Sequence, residues 1–536
     1  MSKGHSMVHI EDIKNFDDEA TWDLICSGRT KGVFQLESRL GSSWAKRAQP
    51  RSIDELADLV SIIRPGTLEA ELDGKSMTKH YTDRKAKIDE TKYLHPALET
   101  VLGKTYGIIV YQEQAMRIAT EIAGFTPEEA DSLRKAMGKK DAALMKEVEE
   151  KFINGAKAKG LVDDVSAAKI FEWIAASARY SFNKSHAVAY AINSFASAYC
   201  KTHDPIKFYT VYLNNASSKP DKQREIKELV MDAKLQGIEV LPPRLDFFYR
   251  RFTMDRDRNV IYFGYSDVKN VGEGEQETLA KVVKEAEDIT GKSIKGFNWL
   301  ECLFLIGNEI KKNAFISIIS VGGLTGKNNK LNRNRMIFEF DIWNKLTIKE
   351  QAWIIDHWKS TSMTNVPFIE LVNRMINNNE KINSRRITSV LDIYQALQNP
   401  PYSLEDDYVW IADIEQKLMG CSLTCSQSDN LALDDVNITC KEIANGEVKK
   451  MQDAKLAVKI NQVREYKLKR GQHEGEFMAF VIAEDSSGEL DSITVFSEEF
   501  SQYKKLLFEG NTVLLYGEIK QKENDLSFIV KIVTQI

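Results

Sequence analysis

The spacing of apolar residues changes once along this chain, and that change limits the fold more than any other feature. Up to about residue 397 the apolar residues recur mostly at the intervals of amphipathic helices. Roughly the last 80 residues instead contain five β-rich segments separated by turn signals. These segments are Lys455–Val463, Phe477–Glu484, Leu490–Phe496, Thr512–Gln521 and Leu526–Val533. With a helical stretch, Glu498–Leu507, before the fourth segment, the pattern predicts a mainly α, multidomain chain that ends in an OB-type β-barrel; a generic five-stranded sheet is the alternative.

The length of the chain requires several cores, because 536 residues exceed what one hydrophobic core supports. Pro242-Pro243 and Pro400-Pro401 interrupt the helical pattern and are expected linkers. We therefore expect divisions that include boundaries near residues 240 and 400, and another where the β-rich segments begin.

Composition and charge exclude several classes of protein. The formal net charge is −5, so a nucleic-acid site must be a local basic patch. The six cysteines are scattered, which indicates buried thiols in a reducing compartment; a zinc site at Cys421, Cys425 and Cys440 is the alternative, although its spacing is unusual. No apolar run approaches the roughly 20 residues that span a bilayer, and Met1–His5 lacks the hydrophobic core of a signal peptide. We expect a cytoplasmic protein.

Several helix ends are marked by capping residues. Asp17 to Ile25 predicts an amphipathic lead-in helix. Thr126-Pro127-Glu128-Glu129 predicts a capping box, followed by a helix that stops at Gly138. A second helix is expected from about Asp141, with Leu144, Val148, Phe152 and Ala156 at helical spacing.

Residues 181–191 place an amide, an ammonium, a hydroxyl and an imidazole in consecutive positions before an apolar helical run. The four polar residues are Asn183, Lys184, Ser185 and His186. At a helix N-terminus, backbone amides and the positive dipole end favour an anion. The alternative is an ordinary N-cap, in which Asn183 or Ser185 satisfies the first turn.

Residues 134–140 contain four cations in seven positions: Arg134, Lys135, Lys139 and Lys140. Arg134 and Lys135 would straddle one groove of a helix, and a turn at Gly138 would bring the other two round as a second pair. Such a cluster suits a triphosphate or a nucleic-acid backbone. A solvated basic face is the alternative.

The segment Val271-Gly272-Glu273-Gly274 lies between a strand-like stretch, residues 259–265, and a helix expected from Gln276. Its glycines allow backbone amides to approach a phosphate, as in a hairpin that grips DNA; a tight turn without a ligand is the alternative. Gly291-Lys292-Ser293 ends like a Walker A loop, but Ala286 replaces the required first glycine, so we exclude nucleoside-triphosphatase chemistry.

Paired carboxylates for two-metal phosphoryl transfer are missing from the sequence pattern. Asp255-Arg256-Asp257 is the nearest Asp-x-Asp, but it lies in a polar segment and is assigned to a turn.

Five segments occur in a definite order along the chain: Gly32–Ser38, Arg64-Pro65-Gly66, Tyr106–Gln114, Arg134–Lys140 and Phe182–His186. Together they closely resemble the bacterial replicative DNA polymerase III alpha subunit, the C family. The resemblance covers nearly the whole chain but only the C-terminal half of that family. It implies a lead-in from palm to fingers (1–31), fingers (32–240), a tandem helix–hairpin–helix and clamp-binding region (241–400), a connecting segment (401–454) and an OB-fold (455–536).

The resemblance also implies site residues. Nucleotide contacts are expected at Arg134, Lys135, Lys139, Lys140, Asn183, Lys184, Ser185 and His186, whereas Gln112 and Gln114 are expected to be architectural. Hairpins at 268–275 and 311–324 give DNA contacts at Lys269, Asn270, Gly272, Gly274, Lys311 and Lys312. In the last domain Arg464, Lys467, Lys469 and Arg470 are candidates to follow a DNA backbone, with Tyr466 and Phe477 for stacking. A clamp-binding peptide is expected at Leu391, Ile393 and Tyr394, although Ser389 replaces the usual glutamine.

The palm of that family carries three catalytic aspartates, and none has a counterpart in this sequence. We therefore expect one part of a split polymerase, inactive alone, in which a palm-bearing chain holds Mg²⁺ and this chain contributes no catalytic residue or metal ligand. The expected partners are that chain, primer–template DNA, dNTP and a sliding clamp, and a phage genome is one expected source. The alternatives are an inactive DNA-binding accessory protein and a single-strand-binding or clamp-tethering module.

Overall fold

The computed structural model describes residues 11, 13–139, 142–245, 250–325, 331–363, 365–378, 384–425, 436–448, 450–468, 472–522 and 525–535. The chain forms two compact units, residues 1–205 and 206–536. The five-part division expected from the sequence stays a prediction. Among the described residues, every helix falls short of the length and hydrophobicity that spanning a bilayer requires.

The first unit is almost entirely helical. Its helices are α1 (Glu19–Cys26), α2 (Arg39–Ala48), α3 (Ile53–Ile62), α4 (Pro65–Glu69), α5 (Met77–Lys85), α6 (Glu99–Leu102), α7 (Gln112–Ala123), α8 (Pro127–Lys139), α9 (Ala142–Lys159), α10 (Asp164–Ser177) and α11 (Lys184–His203). A two-stranded ribbon, β1 (Glu71–Leu72) and β2 (Lys75–Ser76), precedes α5. The expected lead-in helix is confirmed as α1, whose N-cap is Asp18.

The described residues of the first unit bury two hydrophobic clusters. One contains Trp22, Tyr81 and Phe195 and lies among α1, α2, α3, α5 and α11. The other contains Phe152 and Phe171 and lies among α6 to α10. The extended segment 108–111 contributes to both clusters. Neighbouring side chains on extended backbone point to opposite sides, so Ile109 enters the second cluster while Ile108 and Val110 enter the first. Tyr111, the N-cap of α7, also lies in the first cluster.

The predicted capping box of α8 is confirmed. The Thr126 amide donates to Glu129 Oε2 at 2.9 Å, and the Glu129 amide donates to Thr126 Oγ1 at 3.3 Å. The predicted helix end at Gly138 is wrong, since α8 continues to Lys139. An interior glycine costs a helix only about 1 kcal/mol, and buried Leu133 and Met137 hold this last turn against the core.

Helix α9 packs closely against the end of α7. The predicted apolar face is confirmed for Val148, Phe152 and Ala156, which are buried. At Gly155 an added Cβ would lie 2.1 Å from the carbonyl oxygen of Ala123. The absence of a side chain at this position therefore allows the two helices to approach.

The second unit begins with helices and a small sheet. Its helices are α12 (Pro205–Asn214), α13 (Lys222–Leu235), α14 (Glu273–Thr290), α15 (Trp299–Glu301), α16 (Lys312–Ser320), α17 (Arg333–Trp343), α18 (Ile348–Ser360), α19 (Phe368–Asn377), α20 (Ile387–Gln398), α21 (Tyr408–Met419) and α22 (Cys440–Ala444). The sheet contains β3 (Glu239–Leu241), β4 (Thr253–Asp255) and β5 (Val260–Tyr262), in the order β3-β5-β4.

A buried ion pair lies within this helical region. Arg333 of α17 donates to Glu415 of α21 at 2.8 Å, and both side chains are almost fully buried. Glu415 also accepts from the backbone amides of Leu423 and Thr424 at 2.7 and 2.9 Å. These bonds satisfy the buried carboxylate and fix the turn after α21.

The C-terminal strands are β6 (Met451–Lys467), β7 (Phe477–Asp485), β8 (Gly488–Val495), β9 (Thr512–Lys522) and β10 (Asp525–Gln535), with α23 (Ser497–Tyr503) between β8 and β9. They form a closed barrel in the order β10-β8-β7-β6-β9. Apart from the parallel pair β8–β10, all neighbours are antiparallel. The predicted helical class, the five strands and the helix before the fourth are thereby confirmed.

Candidate functional site

Two of the sequence motifs are hydrogen-bonded to each other in the first unit. The amide of Gln112 donates to the carbonyl of Phe182, and the amide of Phe182 donates to the carbonyl of Val110, both at 2.9 Å. Tyr111 and Phe182 thus form a parallel β-bridge. The starts of α7 and α11 are fixed side by side.

The N-terminus of α11 is occupied by a carboxylate from α7. Lys184 N lies 3.1 and 3.0 Å from the two Glu113 carboxylate oxygens, and Asn183 Nδ2 donates to Glu113 Oε1 at 2.9 Å. Asn183 Oδ1 in turn accepts from the amide of His186 at 2.9 Å. The N-cap alternative is therefore confirmed for Asn183, and the anion at this positive helix end belongs to the chain itself.

The other polar residues of this segment lie around the same helix end. Lys184 Nζ is 3.6 Å from Asp54 Oδ1 and 5.7 Å from the centre of the Tyr111 ring. Ser185 and His186 are exposed. The His186 imidazole lies between two aromatic rings, with centroid distances of 5.5 Å to Phe182 and 4.2 Å to Tyr190. The imidazole is thus held by packing while one part of it faces solvent.

The segment Arg64-Pro65-Gly66 packs against residues 179–182, which precede α11. The guanidinium carbon of Arg64 lies 3.4 Å from the centre of the Phe182 ring, and burial lowers the pKa of Arg64. At Gly66 an added Cβ would come within 3.2 Å of the carbonyl oxygen of Arg179. A cation–π contact and a close backbone approach therefore join this motif to the head of α11.

The motif at residues 32–38 packs along the middle of α11. Ser194 Oγ donates to the carbonyl of Phe34 at 2.8 Å, and the amide of Phe34 donates to Ser197 Oγ at 3.1 Å. The rings of Phe34 and Tyr190 are 5.4 Å apart. Four of the five motifs thus meet around one helix.

A buried carboxylate that the sequence analysis missed supports this arrangement. Asp58 of α3 accepts from Tyr111 Oη at 2.6 Å and from Tyr81 Oη at 2.8 Å. Burial raises the pKa of Asp58 to about 6, although both tyrosine hydrogen bonds act to lower it. The signal was available, since Asp58 interrupts the otherwise apolar run from Leu56 to Val60.

Gln114 has the architectural role expected of it. Its Oε1 accepts from the amides of Val110 and Tyr111 at 2.9 and 3.0 Å. Its Nε2 donates to Thr105 Oγ1 at 2.7 Å. The buried amide therefore fixes the extended backbone that carries Tyr111.

The two leading cations of the basic segment share one carboxylate. Arg134 Nη2 lies 2.7 Å from Asp131 Oδ1, and Lys135 Nζ lies 2.9 Å from Asp131 Oδ2. Hydrogen bonds from Lys135 and Arg134 lower the pKa of Asp131. The pair is thus side by side and accessible, but an incoming anion must compete with Asp131.

A turn at Gly138 was expected to bring the other two cations of the basic segment round as a second pair, but α8 continues through Gly138. Lys139 is still part of α8, and Lys140 lies outside the described residues. Helix α8 packs against α7 and α9, whereas α11 packs against α1 and α3. The basic segment and the head of α11 therefore border different cores of the first unit.

In the second unit, Lys269 and Asn270 lie in the turn before α14. The Lys269 amide donates to the carbonyl of Leu418 at 2.8 Å, and Asn270 Nδ2 donates to Ser317 Oγ at 3.0 Å. Gly272 is the N-cap of α14, and Gly274 lies in its first turn. An added Cβ at either glycine would meet no atom within 4 Å, so this backbone is open to approach.

Lys311 and Lys312 stand at the start of α16, and each has a carboxylate partner. Lys311 pairs with Glu275, and Lys312 Nζ lies 2.8 Å from Asp341 Oδ1. Lys311 thereby links the starts of α14 and α16, the two elements in which hairpins were expected.

On the barrel, Arg464, Tyr466 and Lys467 are exposed near the end of β6. Lys467 Nζ lies 6.0 Å from the centre of the Phe477 ring on β7. Lys469 and Arg470 lie outside the described residues. The described part of this surface combines two cations with two exposed aromatic rings.

The expected clamp peptide forms part of α20. Ile393 is buried in the helical core, Leu391 is exposed, and Tyr394 is partly buried. Within the described residues, these side chains thus belong to a helix with one face on the core.

The Asp255-Arg256-Asp257 segment is a turn, as predicted. Asp255 ends β4, and its Oδ1 accepts from the amide of Arg258 at 3.2 Å before β5 begins. In the described part of the chain, no three His, Cys, Asp or Glu side chains are grouped to hold a metal ion. Of the thiols that the zinc alternative used, Cys421 and Cys440 are buried, and burial raises the pKa of both, that of Cys421 to about 12.

Comparison with known proteins identifies what this chain is similar to. Residues 2–160 match the family model of the bacterial DNA polymerase III alpha subunit finger domain. The DNA polymerase III subunit alpha of Aquifex aeolicus is 41% identical over 270 residues, which are 50% of this chain and 22% of that protein. The DNA polymerase III subunit alpha of Thermus aquaticus is 37% identical over 310 residues, which are 58% of this chain and 24% of that protein.

A third relative matches along nearly the whole chain. The DNA polymerase III subunit alpha of Borreliella burgdorferi is 29% identical over 531 residues, 98% of this chain and 42% of that protein. The predicted resemblance to DNA polymerase III alpha subunits is therefore confirmed. The chain spans less than half the length of these relatives.

Proposed function

We propose that this chain, a relative of the DNA polymerase III alpha subunit, binds primer–template DNA and an incoming dNTP during DNA synthesis. The observation that carries the proposal is the meeting of four motifs around the head of α11. The fifth motif supports it by placing Arg134 and Lys135 side by side on α8.

Arg134 and Lys135 are the proposed contacts of the triphosphate. The guanidinium offers paired donors that match phosphate oxygens, and the ammonium adds a compact charge. Both now share Asp131, so phosphate oxygens would replace one carboxylate as their partner. Lys139 and Lys140 are proposed to support the same anion.

The head of α11 is proposed to lie against the nascent base pair. Ser185 and His186 are exposed there, whereas Asn183 is occupied by its bonds to Glu113 and His186. In this arrangement Ser185 and His186 would contact the nucleotide. Asn183 and Lys184 would hold the backbone that presents them, because the Asn183 side chain and the Lys184 amide already bind Glu113.

The Mg²⁺ ions of two-metal phosphoryl transfer need grouped carboxylates, and the described part of this chain contains no group of three His, Cys, Asp or Glu side chains that could hold a metal ion. Its nearest candidate pair, Asp255 and Asp257, belongs to a hairpin turn in which Asp255 already accepts a backbone amide. These residues do not fit the metal. We propose that a palm-bearing polypeptide supplies the carboxylates and binds the metal, while this chain supplies cations that neutralise the triphosphate.

The second unit is proposed to hold DNA. The open backbone at Gly272 and Gly274, with Lys269, Asn270, Lys311 and Lys312 nearby, suits non-specific contacts to phosphates through helix–hairpin–helix elements. The five-stranded closed barrel with a helix before its fourth strand supports an OB-fold. Its exposed Tyr466 and Phe477 are suited to stack on bases of single-stranded DNA.

Primer extension tests the proposal. The chain is mixed with a palm-bearing fragment of a related polymerase, Mg²⁺, primer–template and dNTPs. Extension is expected from the mixture and from neither component alone. R134A/K135A should abolish extension while DNA affinity changes little; the matched control K169A changes an exposed lysine of α10 and should leave extension intact.

Two outcomes would contradict parts of the proposal. Extension by this chain alone would show that it holds its own catalytic carboxylates. Loss of DNA affinity with a flatter salt dependence in R134A/K135A would assign these cations to the DNA backbone.

A further inference from the structure

The second unit contains a cavity of about 420 Å³ whose lining includes none of the proposed nucleotide, DNA or clamp contacts. It is bordered by the end of α13, the turn that follows α21, and the β7–β8 turn of the barrel. Cavities of roughly 300–1,000 Å³ accommodate small ligands.

Three lysines from three different elements line this cavity: Lys234 at the end of α13, Lys441 in α22 and Lys459 in β6. All three are partly buried. Within the described part of the chain none of the three ammonium groups has a carboxylate partner, in contrast to the paired Lys227 nearby. Partly buried ammonium groups without partners are costly unless an anion reaches them.

The cavity also contains carboxylates, but two of them are already satisfied by the fold. Glu484 Oε1 lies 3.1 Å from Lys227 Nζ, and Glu484 Oε2 accepts from Asn461 Nδ2 at 2.7 Å. Asp485 Oδ2 accepts from the amide of Cys440 at 2.8 Å.

The other oxygen of Asp485 fixes the β7–β8 turn. Asp485 Oδ1 accepts from the amides of Ser487 and Gly488 at 2.8 and 3.1 Å and from Ser487 Oγ at 2.5 Å. The third carboxylate, Glu239, is exposed. Because Glu484 is paired with Lys227, the three lysines face two remaining carboxylates, Glu239 and the hydrogen-bonded Asp485, and the walls retain one excess positive charge.

We infer that this cavity binds a phosphate group through Lys234, Lys441 and Lys459. Ser486, exposed in the β7–β8 turn, adds a hydroxyl donor at the same wall. The phosphate belongs either to a free polyphosphate or to a DNA backbone. The site lies near the end of the barrel where Lys459 of β6 stands opposite Glu484 of β7 in the backbone register. The proposed stacking surface lies at the other end of these strands, where Lys467 stands opposite Phe477.

Calorimetric titration of the full chain with inorganic pyrophosphate, without Mg²⁺, tests the inference. K234Q, K441Q and K459Q should each weaken binding about tenfold. K441R should retain it, because the charge remains. The matched control K505Q, at an exposed lysine of the same barrel, should bind like the unaltered chain.

A parallel titration with an eight-nucleotide single strand identifies the source of the phosphate. Pyrophosphate binding that the lysine variants lose supports a free polyphosphate. If the lysine variants lose oligonucleotide binding but keep pyrophosphate binding, and K505Q keeps both, the phosphate is that of a DNA backbone. Unchanged binding of both probes in all three lysine variants overturns the inference.

Discussion

The backbone amide of Lys184, at the first turn of α11, donates to the carboxylate of Glu113 on α7. Both oxygens of Glu113 are used, and Asn183 Nδ2 binds one of them as well. The carboxylate thereby joins a helix N-terminus to a second helix through charge-assisted hydrogen bonds, which are stronger than neutral ones. The head of α11 is ordered before any ligand arrives.

Removal of the Glu113 charge should loosen that helix end. E113Q keeps the shape of the side chain but loses the charge, so the first turn of α11 should open more readily by about 1 kcal/mol. Hydrogen–deuterium exchange of the amides of residues 184–187 measures this change. E128Q, an exposed glutamate in the first turn of α8, is the matched control; equal protection in both variants would contradict the role given to Glu113.

Asp131 should act as a competitor of the triphosphate. In D131N, Arg134 and Lys135 lose their shared carboxylate, and the apparent KM for dNTP in the reconstituted extension reaction should fall about two- to fivefold, in keeping with the small energy of exposed ion pairs. D164N removes another exposed carboxylate that pairs with a lysine, Lys157, and should leave KM unchanged. A higher KM in D131N would mean that Asp131 aligns the cations instead.

Local capping signals could be predicted from the sequence, whereas long-range partners could not. Thr126 and Glu129 lie three positions apart, and their reciprocal bonds follow from helix geometry alone. Glu113 and Asn183 are 70 positions apart. The sequence therefore indicated an anion at the head of α11 but could not indicate that the chain supplies one. Similarly, the β-rich segments and the turn signals between them predicted the strands of the barrel. They could not predict the cavity beside it, because its three lysines come from elements far apart in the sequence.

Asp58 should make the first unit less stable as the pH rises from about 4 to about 6. Its pKa is raised by burial from 3.8 to about 6, so the folded state favours the protonated form. The associated stability is complete below the unfolded pKa and is lost as the pH rises through the folded value, with a total of about 2–3 kcal/mol.

Comparison with D58N isolates this contribution, because the variant cannot ionise at that position. Hydrogen exchange of α3 and α7, measured from pH 4 to pH 7, should show the unaltered chain losing protection relative to D58N as the pH rises. A constant difference, or one of opposite sign, would show that the tyrosine hydrogen bonds outweigh burial.

Alanine substitution at two helical glycines should change the free energy of unfolding in opposite directions. At Gly155 the new methyl group would lie 2.1 Å from the carbonyl oxygen of Ala123, so α9 must move away from α7 at a cost of about 1–3 kcal/mol. At Gly138 the methyl group meets no atom within 4 Å, and the helix should gain about 0.5–1 kcal/mol. Denaturant unfolding of G155A and G138A measures both changes. Destabilisation by G138A would indicate that residue 138 needs a non-helical conformation, as a sequence-predicted turn at this position would require.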